Sequence, residues 1–197
     1  MYILNLSRNS PLQNSNVYLV LGYWNSINGV NTLIDVGCDP CIIHRIINTH
    51  TGVERQRIKQ VILTHLHSQN HDVLHLIKQK FNPVIYAYDK GIREIDCTLN
   101  HGDKLKVGDT VAEIIYIPFH SKKSIGIYLK NERVLFSGDN ELFGNNFKNN
   151  NIKEQIKLIK ENIKKPVKTI YSSYGAPIFL EYQKKIHCLA KSSQNNK

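Results

Sequence analysis

Four runs rich in β-forming residues each stop on a side chain capable of chemistry. VILT (61–64) leads into His65 and His67, EIIYIP (113–118) into Phe119 and His120, RVLFSG (133–138) into Asp139, and KTIYSS (168–173) into Tyr174 and Gly175. Residues just past strand ends are held by a rigid sheet while their tips stay open to solvent. If the four ends converge, imidazoles and a carboxylate meet at one place, as a metal site reachable by substrate requires. An H-x-H alone or an Asp after Gly alone says little, since the second is a common turn. Their order along the chain carries the signal.

The surrounding pattern supports a layered arrangement. Further β-rich runs fall at 2–6, 17–22, 32–36, 84–87 and 125–129. Asp39-Pro40 opens a helical stretch, CIIHRIINTH, and His71-Asp72 opens another, VLHLIKQKF, in which Val73, Leu74, Ile77 and Phe81 keep one face apolar. A third helix is expected over 151–165, where Ile152, Ile156, Ile159 and Ile163 recur at helical spacing. Strands joined partly by hairpins and partly by helices imply an α/β fold with helices on sheet faces. A chain of 197 residues is long enough for one core and short for two. A single domain over 1–190 is expected, with a disordered polar tail over 191–197.

Several classes are set aside by composition. No apolar stretch approaches the roughly 20 residues of a membrane span, so no membrane association is expected. The first residues lack the pattern of a secretory signal, and a cytoplasmic location is expected. Cys38, Cys41, Cys97 and Cys188 are too few and too unevenly spaced for a disulfide framework. Cys38 and Cys41 form a C-x-x-C without a second one to complete a zinc knuckle, and read as small side chains flanking the turn before a helix. The net charge of +10 gathers partly in NIKEQIKLIKENIKK, where lysines lie opposite the isoleucine stripe. That is the pattern of a solvated helix face, and nucleic acid is not the expected partner.

Six short stretches, in order, resemble the motifs of the metallo-β-lactamase fold superfamily. SNVYLV (15–20) is similar to its opening Asn-x-Tyr-Leu strand, LIDVG (33–37) to its Ile-Asp-x-Gly, and THLHSQN (64–70) to its T-H-x-H-x-D-H. PFHS (118–121) is similar to its Pro-Gly-His-Thr, SGD (137–139) to its Ser-Gly-Asp, and SYGAP (173–177) to its Gly-His-Gly-x-Pro. The resemblance implies a four-layer αββα sandwich with a metal cleft at one edge of two sheets. Most members there hydrolyse esters, thioesters, lactones, amides or phosphodiesters.

Carried over residue by residue, the resemblance is uneven. The positions of the first metal site hold His65, His67 and His120, and that of the bridging aspartate holds Asp139. The positions of the second site hold Gln69, Asn70 and Tyr174 in place of an aspartate and two histidines. Imidazole and carboxylate bind Zn²⁺ or Fe²⁺, whereas an amide or an un-ionised phenol is a poor ligand. One divalent ion is therefore expected, Zn²⁺ ahead of Fe²⁺. His71, next to this motif, is expected to face solvent or cap its helix.

The leading expectation is a mononuclear metal-dependent hydrolase acting on an ester, thioester, lactone or phosphoester. Tyr174 could donate to a developing oxyanion or simply pack beside the cleft. Gln69 could orient a water but cannot act as a base near neutral pH. Lys122 and Lys123, just past His120, could attract an anionic small-molecule substrate or be ordinary exposed loop lysines. Phe119 replaces a glycine of the family and could narrow the cleft. Two other readings remain: a non-catalytic ligand-binding or sensor protein with a degenerate site, and a mononuclear iron oxygenase of the persulfide dioxygenase type.

Overall fold

In a computed structural model, residues 1–10, 12, 15–23, 28–52, 56–66, 71–118, 120–139, 161, 163 and 166–180 are described. Alternation of apolar side chains builds two sheets among them. The first contains β1 (Tyr2–Asn5), β2 (Tyr18–Leu21), β3 (Thr32–Ile34), β4 (Gln60–Ile62), β5 (Val84–Ala87) and β6 (Cys97–Thr98), side by side in chain order. The second contains β7 (Lys104–Val107), β8 (Thr110–Tyr116), β9 (Ile125–Leu129), β10 (Val134–Gly138), β11 (Thr169–Ser172) and β12 (Ile178–Phe179), again adjacent in chain order.

Pairing direction follows from the connections. β1, β2 and β3 run antiparallel, whereas β3 to β6 are mutually parallel. Parallel neighbours need a long crossover. Two of these are helical: α1 (Cys41–Asn48) joins β3 to β4, and α2 (His71–Phe81) joins β4 to β5. In the second sheet β7 to β10 form an antiparallel meander, and β10 and β11 are parallel. The expected helix over 151–165 falls within that last crossover and, apart from residues 161 and 163, lies outside the described residues. The expected tail lies outside them too.

Because side chains alternate along a strand, each central strand feeds two apolar layers. Tyr18 and Val20 of β2, Ile34 of β3 and Ile62 of β4 pack between the sheets against Ala112, Ile114, Ile127 and Phe136. Their neighbours Leu19, Leu33, Val61 and Ile85 turn the other way and are covered by Ile42 and Ile46 of α1 and Val73, Leu74 and Ile77 of α2. On the outer face of the second sheet Ile115, Tyr128, Leu135 and Ile170 pack with Ile163. The result is an α/β sandwich of two mixed sheets. Among the described residues no helix is long and apolar enough to cross a membrane.

All nine expected β runs are strands, with ends moved by a few residues. β3 stops at Ile34 because Asp35 adopts φ 58°, which no strand residue can keep. The sequence reading missed β6, β7 and β12. Two of these are two residues long, and in the third, KLKV, the lysines hide a short alternation. Both expected helix starts hold: Asp39 Oδ1 accepts the Cys41 N–H at 2.9 Å where α1 begins, and α2 begins at His71. Cys38 and Cys41 are exposed thiols rather than packed ones.

Candidate metal centre

The site grows from three strand ends. Past β4, the Thr64 backbone N–H donates to Asp35 Oδ1 at 2.8 Å and its hydroxyl donates to Asp35 Oδ2 at 2.8 Å. Asp35 reaches it from the end of β3, where its left-handed backbone turns the carboxylate toward Thr64. With its proton committed to Asp35, the Thr64 hydroxyl accepts from His65 Nδ1, 2.9 Å away. That fixes Nε2 as the ligand nitrogen of His65, in the manner of an outer-shell partner that selects a tautomer. Burial pushes the Asp35 carboxyl upward, and the neighbouring His65 and the Thr64 bonds only partly offset it.

Asp139 arrives from β10 through Gly138, at φ 62°. A Cβ on that glycine would lie 2.6 Å from Thr64 Oγ1 and 2.8 Å from Thr64 Cβ, so only glycine lets the end of β10 come this close. Gly138→Ala is expected to lower stability by about 1–3 kcal/mol, read as a shifted urea midpoint. An unchanged midpoint would mean that the two strand ends are not in this contact.

His120 stands on the loop between β8 and β9. Ser124 closes that loop: its N–H donates to Ser121 O at 3.1 Å and its carbonyl accepts the Ile117 N–H at 3.0 Å. The Ile125 N–H then donates to Thr64 O at 2.8 Å, tying this loop to the one that carries His65. The outcome is a compact triad: ligand atoms of His65, His120 and Asp139 all lie within 4.8 Å of one another. His65 Nε2 is 3.3 Å and His120 Nε2 is 3.7 Å from Asp139 Oδ2, and the two rings meet edge to face at 5.1 Å.

Electrostatics follow burial. The side chains of His65 and Asp139 are 6% and 4% exposed, while that of His120 is 37% exposed, so the triad opens on the His120 side. Burial alone would raise Asp139, but the hydrogen bond and charge of His65, with help from His120, bring it below the usual carboxylate range. Burial likewise opposes charge on His65, and Asp139 and Asp35 overcome it, leaving that imidazole raised.

Tyr174 follows β11, and its pKa is raised, first by burial and then by the neighbouring charge of Asp139, so the hydroxyl keeps its proton. The residue is nonetheless 49% exposed and faces outward as well. On the opposite flank Lys123 Nζ pairs with Asp89 Oδ2, and Tyr88 stacks on Tyr116 with centroids 5.3 Å apart. Both contacts join the two sheets. Lys122 is exposed, and its carbonyl accepts from the Tyr116 hydroxyl at 2.8 Å. His67, Gln69, Asn70 and Phe119 lie outside the described residues.

Comparison of folds bears directly on this arrangement. The chain is similar to a metallo-β-lactamase family protein from Thermus thermophilus, with a TM-score of 0.63 and 16% identity, over 98% of this chain and 79% of that one. It is similar also to ETHE1 from Myxococcus xanthus, with a TM-score of 0.68 and 15% identity, over 93% of this chain and 82% of that one. The chain has the metallo-β-lactamase fold. No protein-family model matches it. In sequence, this metallo-β-lactamase-fold chain is similar to a hydroxyacylglutathione hydrolase of Bradyrhizobium sp. (strain BTAi1), at 26% identity over 85 residues, 42% of this chain and 33% of that protein. The match thus spans about a third of the length of the curated relatives.

Proposed function

We propose that this chain is a mononuclear metal-dependent hydrolase of small esters, thioesters, lactones or phosphoesters, holding one ion on His65, His67, His120 and Asp139. The convergence of two imidazole Nε2 atoms and a buried carboxylate within 4.8 Å carries the proposal. Two nitrogens and an anionic oxygen suit a first-row dication, Zn²⁺ ahead of Fe²⁺. When bound, Zn²⁺ supplies Lewis acidity and brings the pKa of a water it holds to about 7.

The chain's own residues supply the rest. Thr64 and Asp35 keep His65 in one tautomer, which removes a reorganisation step before the ion is held. Tyr174 keeps its proton and stands half exposed beside Asp139, placed to donate to oxygen where negative charge develops. Gln69, where relatives of this fold have an aspartate, orients a water by hydrogen bonding and takes no proton from it. Substrate approaches from the open His120 side. Since Lys123 is paired with Asp89, Lys122 is left as the loop's attraction for an anionic group.

Metal analysis of the chain purified without added metal is expected to return one equivalent. Hydrolysis of a generic ester or phosphodiester panel should disappear in His120→Ala and survive in Cys97→Ala, a thiol exposed on β6. Two equivalents would overturn the mononuclear reading, and none would overturn the metal site. One equivalent of iron with dioxygen uptake on a thiol or persulfide would replace hydrolysis with oxygenation.

A further inference from the structure

The two loops that carry His65 and His120 are both gripped by a third, the stretch that follows β5. On the first loop Leu66, next to His65, meets Gly91: a Cβ on that glycine would lie 2.7 Å from Leu66 Cδ1. Leu66 and Ile92 pack against the same outer core, which anchors the stretch to the first sheet. On the second loop Lys123, three residues past His120, pairs its Nζ with Asp89 Oδ2. Tyr88, beside Asp89, stacks on Tyr116 at the end of β8 with an interplanar angle of 23°. Residues 88–92 thus hold the chain on either side of His120 and immediately after His65.

That grip reaches His120 through a turn with little slack. The Ser121 N–H donates to Ser124 Oγ at 3.2 Å, the two hydroxyls share a bond at 2.8 Å, and the Lys123 N–H donates to Ser121 Oγ at 3.3 Å. The Tyr116 hydroxyl, donating to Lys122 O at 2.8 Å, closes the loop across its base. Lys123 therefore cannot shift without Ser121, the residue covalently next to His120. Its partner is equally committed: Asp89 Oδ1 is buried and has no hydrogen-bond partner among the described residues, which leaves Lys123 to compensate the carboxylate. An ion pair with so exposed a lysine adds little to stability. What it fixes is where the His120 loop lies against the His65 loop. His120 is the most exposed member of the triad, so its position depends most on its loop.

We propose that Asp89 is a positioning residue of the metal centre: paired with Lys123, it braces the His120 loop against the His65 loop and so sets the spacing of the two imidazoles that hold the ion. This rests on the metal reading above. Co²⁺ titration of the metal-free full chain would compare wild type, Asp89→Ala, Lys123→Met and the double variant. A brace predicts that each single change weakens Co²⁺ binding about threefold, within what an exposed ion pair can shift. The double variant should then bind no more weakly than either single one. Through-space electrostatics predicts otherwise: losing a carboxylate weakens the binding of a cation, losing an ammonium strengthens it, and the two cancel in the double variant. The visible ligand-field bands should shift alike in all three variants, because a displaced His120 alters the ligand geometry whichever partner is removed.

Opposite signs in the two single variants would overturn the inference while leaving the metal site standing. So would an unchanged affinity in either one, or weakening that multiplies in the double variant. A wild-type chain that takes up no Co²⁺ overturns the metal reading and this inference together. Should Asp89→Ala fail to fold, Lys123→Met decides alone, since a brace makes the loss of an ammonium weaken the binding of a cation and charge alone would strengthen it.

Discussion

Asp139→Asn is expected to weaken metal binding by at least about a hundredfold and to bring hydrolysis to background, because it removes the only negative charge in the described triad. The carboxylate lies 4% exposed between two imidazoles, and its oxygen is the atom both approach. An amide matches its shape and forfeits its charge, so the change isolates electrostatics from packing. Folding should tolerate it. The introduced amide keeps both a donor and an acceptor beside His65 Nε2, so the buried position stays hydrogen-bonded. The measurement pairs Co²⁺ affinity by chelator competition with circular dichroism. A folded variant whose affinity stays within threefold of wild type would remove Asp139 from the ligand set.

How far the sequence revealed this site depends on the range of the interaction involved. His65, His120 and Asp139 were legible because each follows a β run closely, and sheet geometry brings such ends together. The same rule applies to Asp35, which directly follows the end of β3 within LIDVG, yet its service to Thr64 and His65 was missed. Nothing local announces that an aspartate will adopt φ 58° and face the next strand's threonine. The Asp89–Lys123 pair and the Tyr88–Tyr116 stack were equally out of reach. They join the ends of strands and loops from different sheets, and periodicity within one element carries no information about which neighbour it will meet. Asn16 lay within a stretch recognised for its resemblance, but its bonds to a turn some 156 residues onward belong to the assembled sandwich.

The strongest gain of function expected of this chain is a second ion. Gln69→Asp, Asn70→His and Tyr174→His together return the ligand types that the family resemblance assigns to the second site, two imidazoles and a carboxylate beside the carboxylate of Asp139. A neutral amide gives a dication a weak dipole and no charge, and a phenol kept protonated by burial and by Asp139 offers less. The triple variant should therefore take up two equivalents of Zn²⁺ or Co²⁺ where the proposed function expects one for the natural sequence. Tyr174→His alone should stay at one, since a single added imidazole leaves the second position short of ligands. Paramagnetic coupling between two Co²⁺ ions would show that they share Asp139. A folded triple variant that still binds one equivalent would mean that these three positions do not border the centre, and the account of a selectively stripped second site would fall with it.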